Sequence, residues 1–338
     1  MKAIRFEEFG EPTEVLTVEE VAVPEPGRGE VLVRMLASPV NPSDLMTIRG
    51  TYGKRPSLPF TPGYEGVGVV EKSGGGLLAN LRRNRRVVVL NSLSGNWAEQ
   101  AVVPAQQVVP VPADLPVEQA ATFFINPVTA WVMLKKVLAI PAGGWLLQTA
   151  AGSQLGRMVI RLGQELGIRT INVVRHDAQV DELTRLGGDA VLAFQADQQP
   201  CSELVRMVRE ITGAEGVRWA IDPVGGPLAS AVVECLAPEG RMLCYGTLDD
   251  RPLSFSPRSL MTGGARVEGF WLGRWLAGQG LLTKLRTIKT VGGLVGRGVL
   301  ASQIGGSFSL DQVVEAVAAS ERPGREGKVL LRISESDG

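Results

Sequence analysis

The chain has 338 residues, 44% of them hydrophobic and 21% charged, which suits about two cored domains and excludes a disordered chain. Its 35 Lys and Arg balance 35 Asp and Glu, which removes the electrostatic case for nucleic acid or an anionic membrane surface. Cys201, Cys235 and Cys244 lie far apart and His176 is the single histidine, so neither a disulfide framework nor a His-rich metal site is expected.

Residues 1–6 enter an alternating strand pattern with no signal-like apolar stretch, and no apolar run approaches ~20 residues. A cytoplasmic protein without a membrane span is expected. Strands are predicted at 30–37, 66–71, 86–90 and 98–103, separated by Gly, Pro and Asn clusters. Gly74-Gly75-Gly76 reads as a hairpin connection and the arginines at 82–86 as a solvated turn.

Near Pro116 the pattern changes. A helix broken around Pro127 is predicted over 116–136. Strands at 145–148, 170–174, 190–192, 219–222 and 241–245 then alternate with helices at 155–166, 179–186, 202–212 and 228–236. Such alternation predicts an α/β fold with a doubly wound parallel sheet and crossover helices on both faces. A helix at 310–320 and a strand at 328–333 are expected to return to the β-rich unit. The predicted domains are a β-rich, partly open barrel of 1–118 and 300–338, and a nucleotide-binding unit of 119–299.

The strand near 145 runs into Ala151-Gly152-Ser153-Gln154-Leu155-Gly156 and then a helix. Small residues in such a turn let a dinucleotide's pyrophosphate approach the backbone, where orphan N–H groups and the helix dipole favour its charge. The match to G-x-G-x-x-G is imperfect, because Ala151 and Ser153 stand at the first two glycine positions; a plain tight turn is the alternative. At the end of the next strand, about 20 residues on, an acid would bond the NAD ribose and an arginine would pair with the 2′-phosphate of NADP. The sequence places Arg175 there, with His176 beside it, so NADPH is favoured over NADH.

These turns belong to a wider pattern. Val40-Asn41-Pro42-Ser43-Asp44, the stretches 48–53 and 62–70, Asn126-Pro127-Val128-Thr129-Ala130 and 150–156 resemble the medium-chain dehydrogenase/reductase superfamily. The stretches 170–175 and 268–272 are similar to the mitochondrial-type 2-enoyl thioester reductases; zeta-crystallin-type quinone reductases share much of the scaffold. The resemblance implies a Rossmann unit and a GroES-like catalytic unit. Zinc-dependent members place a Cys on the early turn and a His-Glu pair after a Gly. Here Asn41 and Tyr64-Glu65 hold those places and no four-Cys lobe follows, so the resemblance points to zinc-free reductases and no metal ligand is assigned.

By the same resemblance Tyr52, between Gly50 and Gly53, matches the catalytic tyrosine. A phenol with a reference pKa of ~10 remains a neutral donor at pH 7 and would polarise a thioester oxygen or supply a proton. A loop tyrosine that merely packs is the alternative. Trp271 matches a tryptophan lining the site, while Trp275 reads equally as core. Asn41, Asn126, Thr129, Ala151, Gly152, Ser153, Gln154, Leu155, Gly156, Arg175, His176, Tyr245, Gly246, Thr247, Phe270, Trp271, Leu272 and Lys328 are the expected cofactor contacts. The expected activity is NADPH-dependent reduction of a trans-2-enoyl thioester, on CoA or an acyl carrier protein, in fatty acyl synthesis. A quinone acceptor, or nucleotide binding without turnover, stays open. A homodimer paired through the edge strand near 267–270 is expected.

Overall fold

Val- and Ile-rich runs bounded by Gly, Pro and Asn become strands in the computed structural model, which describes residues 1–334 apart from Lys54, Ser92, Leu93, Ala113, Ala214 and Pro323. In chain order they are β1 (Lys2–Arg5), β2 (Thr17–Glu20), β3 (Glu30–Pro39), β4 (Glu65–Ser73), β5 (Arg86–Leu90), β6 (Gln100–Pro104) and β7 (Val108–Pro110). There follow β8 (Trp145–Gln148), β9 (Arg169–Val174), β10 (Ala190–Ala193), β11 (Val217–Asp222), β12 (Leu236–Cys244), β13 (Arg266–Gly269), β14 (Ile304–Phe308) and β15 (Lys328–Arg332). The chain divides into two units, Met1–Ile125 with Ser302–Gly338, and Asn126–Ala301.

The first unit is built on β3. One edge of this ten-residue strand pairs with β4; the other pairs with β6 at its start and with β15 at its end. The sheet order is β14-β15-β3-β4-β5-β7. Val31, Val33, Met35, Val87 and Val89 form its interior. A second cluster joins Ile4, Phe6, Ile48 and Trp97 to Leu310, Val317 and Leu331, so the C-terminal helix and strand supply apolar surface that the N-terminal strands lack.

The second unit is a six-stranded parallel sheet in the order β10-β9-β8-β11-β12-β13. Its strands are apolar on both faces because helices cover both, with Leu147, Ile171, Val173, Ala220 and Met242 buried. Strand order reverses between β8 and β11, and ligands of such sheets bind at the carboxyl ends of the strands at that reversal.

Several elements differ from the sequence expectation. The helix read over 116–136 breaks at 122–124 and not at Pro127, which lies in the first turn of Ile125–Val132, where a missing N–H costs nothing. Residues 119–125 belong to the first unit, because the backbone N–H groups of Phe124 and Ile125 bond the Glu65 carboxylate. A short helix, Leu77–Arg82, follows Gly74-Gly75-Gly76, but β4 and β5 are antiparallel and no crossover results. Arg83 and Arg85 are exposed, whereas Arg82 and Arg86 are half-buried. The helix Leu281–Gly296 was not legible, since Leu281, Leu282 and Leu285 are exposed and blur its apolar face. Among the described residues no helix is long and apolar enough to cross a membrane.

Candidate active site

In the second unit β8 ends at Gln148, and the chain turns through Ala151, Gly152 and Ser153 into the helix Gln154–Leu166. The Ser153 hydroxyl caps this helix by accepting the Gly156 N–H at 3.1 Å. Gly156 is required here: a Cβ would lie 2.5 Å from the Ala151 carbonyl oxygen, so only glycine lets the helix pack this close to the turn. The Ala151 N–H bonds Val173 O on β9, and Gln148 Nε2 donates to Gly156 O at 3.0 Å and to Asn172 Oδ1 at 2.7 Å. Buried polar side chains thus brace the turn from beneath. Arg157, which sequence reading did not single out, donates from Nε to Gly152 O at 3.0 Å and pairs with Glu182 at 2.6 Å. Gln154 and Leu155 are buried at the first two positions of the helix, where N–H groups have no partner within the helix. The turn therefore fits a pyrophosphate.

Arg175 and His176 are exposed immediately after β9. Tyr245, Gly246 and Thr247 follow β12, held to β11 by Tyr245 N–H donating to Asp222 O at 2.9 Å and Leu248 N–H to Pro223 O at 3.1 Å. The Tyr245 hydroxyl is buried without a hydrogen-bond partner among the described residues, and burial pushes its pKa up. That phenol points inward, leaving the 245–247 backbone at the strand end. Phe270 follows β13 and donates its N–H to Cys244 O at 2.8 Å; Trp271 is 52% exposed and begins the helix Leu272–Ala277. Trp275 is half-buried. The groups expected at 151–156, 175–176, 245–247 and 270–272 thus meet the carboxyl ends of four parallel strands. Asn126 is half-buried and Thr129 is 6% exposed, both on the helix Ile125–Val132. At the strand-order reversal the Thr149 hydroxyl donates to Asp222 Oδ1, and Gly225 N–H donates to Asp222 Oδ2 at 2.7 Å. Burial nevertheless holds the Asp222 pKa above its ordinary value. An acid closing an otherwise apolar strand was the available signal for it.

The first unit holds a separate buried polar cluster. Asn41, Asp44, Glu65 and Lys328 are 2%, 0%, 1% and 3% exposed. Asn41 precedes the helix Pro42–Ile48, and Asp44 accepts the N–H groups of Asn41 at 2.8 Å and Tyr64 at 3.0 Å. The Asn41 amide donates to Glu65 Oε1 at 3.1 Å and accepts from the Lys328 ammonium. Burial raises the Asp44 pKa to about 7, raises that of Glu65, and lowers that of Lys328 to about 8. The resemblance set Lys328 and Asn41 at the cofactor; in the folded first unit the two side chains are hydrogen-bonded to each other. Above this cluster the Tyr64 hydroxyl lies 2.7 Å from Thr47 Oγ1, and Thr47 donates to Ser43 O at 2.8 Å. The Thr47 proton is therefore used, and Tyr64 is the donor of the pair. The half-buried Tyr52 ring sits 5.7 Å from the Tyr64 ring, tilted by 53°.

The places that the resemblance gives to a zinc ion in zinc-dependent relatives hold Asn41, Tyr64 and Glu65. Asn41 presents an amide that accepts from the Lys328 ammonium, and Tyr64 a phenol paired with Thr47. Among the described residues no group of three or more His, Cys, Asp and Glu could hold a metal ion.

The family described as alcohol dehydrogenase GroES-like domain matches residues 27–113, and that described as zinc-binding dehydrogenase matches residues 155–286. These two units and the helix-capped turn define an oxidoreductase of the dehydrogenase and reductase class. The enoyl-[acyl-carrier-protein] reductase, mitochondrial, of Xenopus tropicalis is 31% identical over 337 residues, spanning 98% of this chain and 95% of that protein. The Bos taurus protein of the same name is 30% identical over 335 residues, with 98% and 88% covered. A Bacillus thuringiensis structure, provisionally described as an NADPH:quinone reductase, is 33% identical with a TM-score of 0.90 and 98% of each chain covered. A mycobacterial protein crystallised with NADPH is 27% identical with a TM-score of 0.88, covering 98% of this chain and 100% of that one. The chain belongs to the medium-chain dehydrogenase/reductase superfamily.

Proposed function

We propose that this chain is a zinc-free, NADPH-dependent reductase of the activated C=C bond of a trans-2-enoyl thioester, on CoA or an acyl carrier protein, serving fatty acyl synthesis. The observation that carries this reading is the near full-length similarity to proteins named enoyl-[acyl-carrier-protein] reductase. Arg175, exposed at the end of β9, supports the phosphorylated dinucleotide, since its guanidinium suits a 2′-phosphate.

When bound, the reduced nicotinamide supplies a hydride. The turn Ala151–Gly156 takes the pyrophosphate and Arg175 the adenosine phosphate, with His176 beside it. As the substrate's β-carbon gains the hydride, the electrons of its C=C bond move toward the thioester oxygen. Tyr52 donates a hydrogen bond to that developing enolate oxygen, and a proton delivered to the α-carbon completes the reduction. Trp271 offers a rigid aromatic wall. Phenol donation does the work that a metal ion does in zinc-dependent relatives.

A second reading, NADPH:quinone reduction, draws on the Bacillus thuringiensis likeness. Stopped-flow oxidation of NADPH by crotonyl-CoA and by a small quinone separates the two. Turnover is expected with the enoyl thioester, and quinone turnover alone would overturn the assignment. NADPH binding with no turnover of either acceptor would make the chain a nucleotide-binding protein.

The subunits are proposed to pair through β13, which ends the parallel sheet with one edge unpartnered among the described strands. Light scattering is expected to give twice the 36.1 kDa chain mass; a monomer at micromolar concentration removes the dimer.

A further inference from the structure

Arg251 in the second unit forks onto two carboxylates from different loops. Its Nη1 and Nη2 meet Asp197 at 2.7 and 3.3 Å, and its Nε and Nη2 meet Asp249 at 2.9 and 2.6 Å. Asp197 lies in the loop after β10 and Asp249 in the loop after β12, so one guanidinium ties two loops at the carboxyl edge of the sheet. The second loop is anchored: Asp249 N–H donates to Val224 O at 2.7 Å, and a Cβ at Gly226 would lie 2.7 Å from Asp249 Cγ. Gly226 has φ of +55°, which glycine adopts without strain, so this close approach is built into the turn. Arg251 is therefore presented from a fixed base.

The loop that carries Asp197, by contrast, starts beside a second arginine. Phe194 N–H donates to Val174 O at 2.9 Å, which lays the start of the Asp197 loop alongside the end of β9, next to Arg175. The Arg251 hydrogen bonds hold the Asp197 carboxyl below the usual carboxylate range, and the charge of Arg175 acts on it in the same direction. A carboxylate that feels the charge of two arginines can help to neutralise either. If it turned to Arg175 it would compete with any phosphate bound there.

We propose that Arg251 is a specificity-determining residue for the phosphorylated dinucleotide: by clamping Asp197 against Asp249's loop, it keeps that carboxylate off Arg175 and leaves Arg175 to the 2′-phosphate. The inference rests on the reading of Arg175 as the phosphate-binding residue. Arg251 is a positioning residue in this scheme and acts through Asp197.

Calorimetric titration of the full chain with NADP⁺ and NAD⁺ tests it through a double-mutant cycle. Arg251→Ala should weaken NADP⁺ by about 3- to 10-fold, the scale of one partly screened charge near a dianion, with NAD⁺ unchanged within about twofold. Asp197→Asn alone should change NADP⁺ by less than about twofold, because that carboxylate is already held. Added to Arg251→Ala, it should restore NADP⁺ affinity to within about twofold of the parent. A normal NADP⁺ affinity in Arg251→Ala overturns the proposal. So does an equal gain from Asp197→Asn in both backgrounds, which would mean two independent charges and no clamp. Arg175→Ala should lower the preference for NADP⁺ about 10-fold or more and abolish any further selective effect of Arg251→Ala. An unchanged preference there removes the reading of Arg175 itself. A lost preference with a silent Arg251→Ala removes only the clamp.

Discussion

Tyr52→Phe is expected to lower turnover of an enoyl thioester by about 10²-fold or more, the scale of losing one donor to a developing oxyanion, with NADPH affinity changed less than about twofold. The substitution keeps the ring, so packing against Tyr64 at 5.7 Å survives and only the hydroxyl is removed. Tyr64→Phe is the control. Its proton is given to Thr47, whose own proton goes to Ser43 O, so this phenol is engaged inside the unit. Its loss should reduce turnover by less than about 10-fold. Steady-state kinetics with crotonyl-CoA and a fluorescence titration with NADPH measure both. Near-normal turnover in Tyr52→Phe would mean that this tyrosine only packs.

Lys328→Met should cost about 3–5 kcal/mol of stability at pH 7, where this lysine, with its pKa lowered to about 8, is still mostly charged; that is the scale of removing one member of a buried charged cluster. Its ammonium is bonded to Asn41, which in turn donates to the Glu65 carboxylate, and all three side chains are buried. Without the lysine, Glu65 carries an uncompensated charge away from water. Burial already holds the Glu65 pKa above its ordinary value, and the lysine's charge opposes that rise. Removing Lys328 must push it higher. Between the unfolded pKa of ~4.3 and this raised value, the folded variant keeps a proton that the unfolded chain has released. Stability of the variant therefore falls as pH rises through that window, and the deficit against the parent should be small near pH 4.5 and larger at pH 7, below the Lys328 pKa of about 8. Glu65→Gln in the Lys328→Met background should recover part of it. Urea denaturation across pH 4.5–7 gives the comparison; a deficit independent of pH would assign the loss to packing alone.

The strand–helix alternation of the second unit was readable because each element carries its own local signal. The helix Gln154–Leu166 has a continuous apolar face, and its start is marked by a capping serine two residues before Leu155. The turn from β8 into that helix was readable for the same reason: Ala151 to Gly156 are contiguous. The helix Leu281–Gly296 was not, because its first turn carries leucines that remain exposed. The break at 122–124 was misplaced to Pro127 because Glu65, far away in sequence, draws the N–H groups of Phe124 and Ile125 out of the helix.

Composition, periodicity and short contiguous motifs were enough for the two-unit α/β architecture, the strand–turn–helix at 148–154 and the place of Arg175 directly after β9. They could not show that Lys328 meets Asn41 across 287 residues, or that Arg251 reaches Asp197 across 54. A lysine or arginine has the same local signal whether it is solvated or paired, since neither charge changes the 2.0 or 3.6 residue period of its element. Which carboxylate or amide stands opposite is set by how strands and loops return to one another, and that becomes visible when the chain is folded.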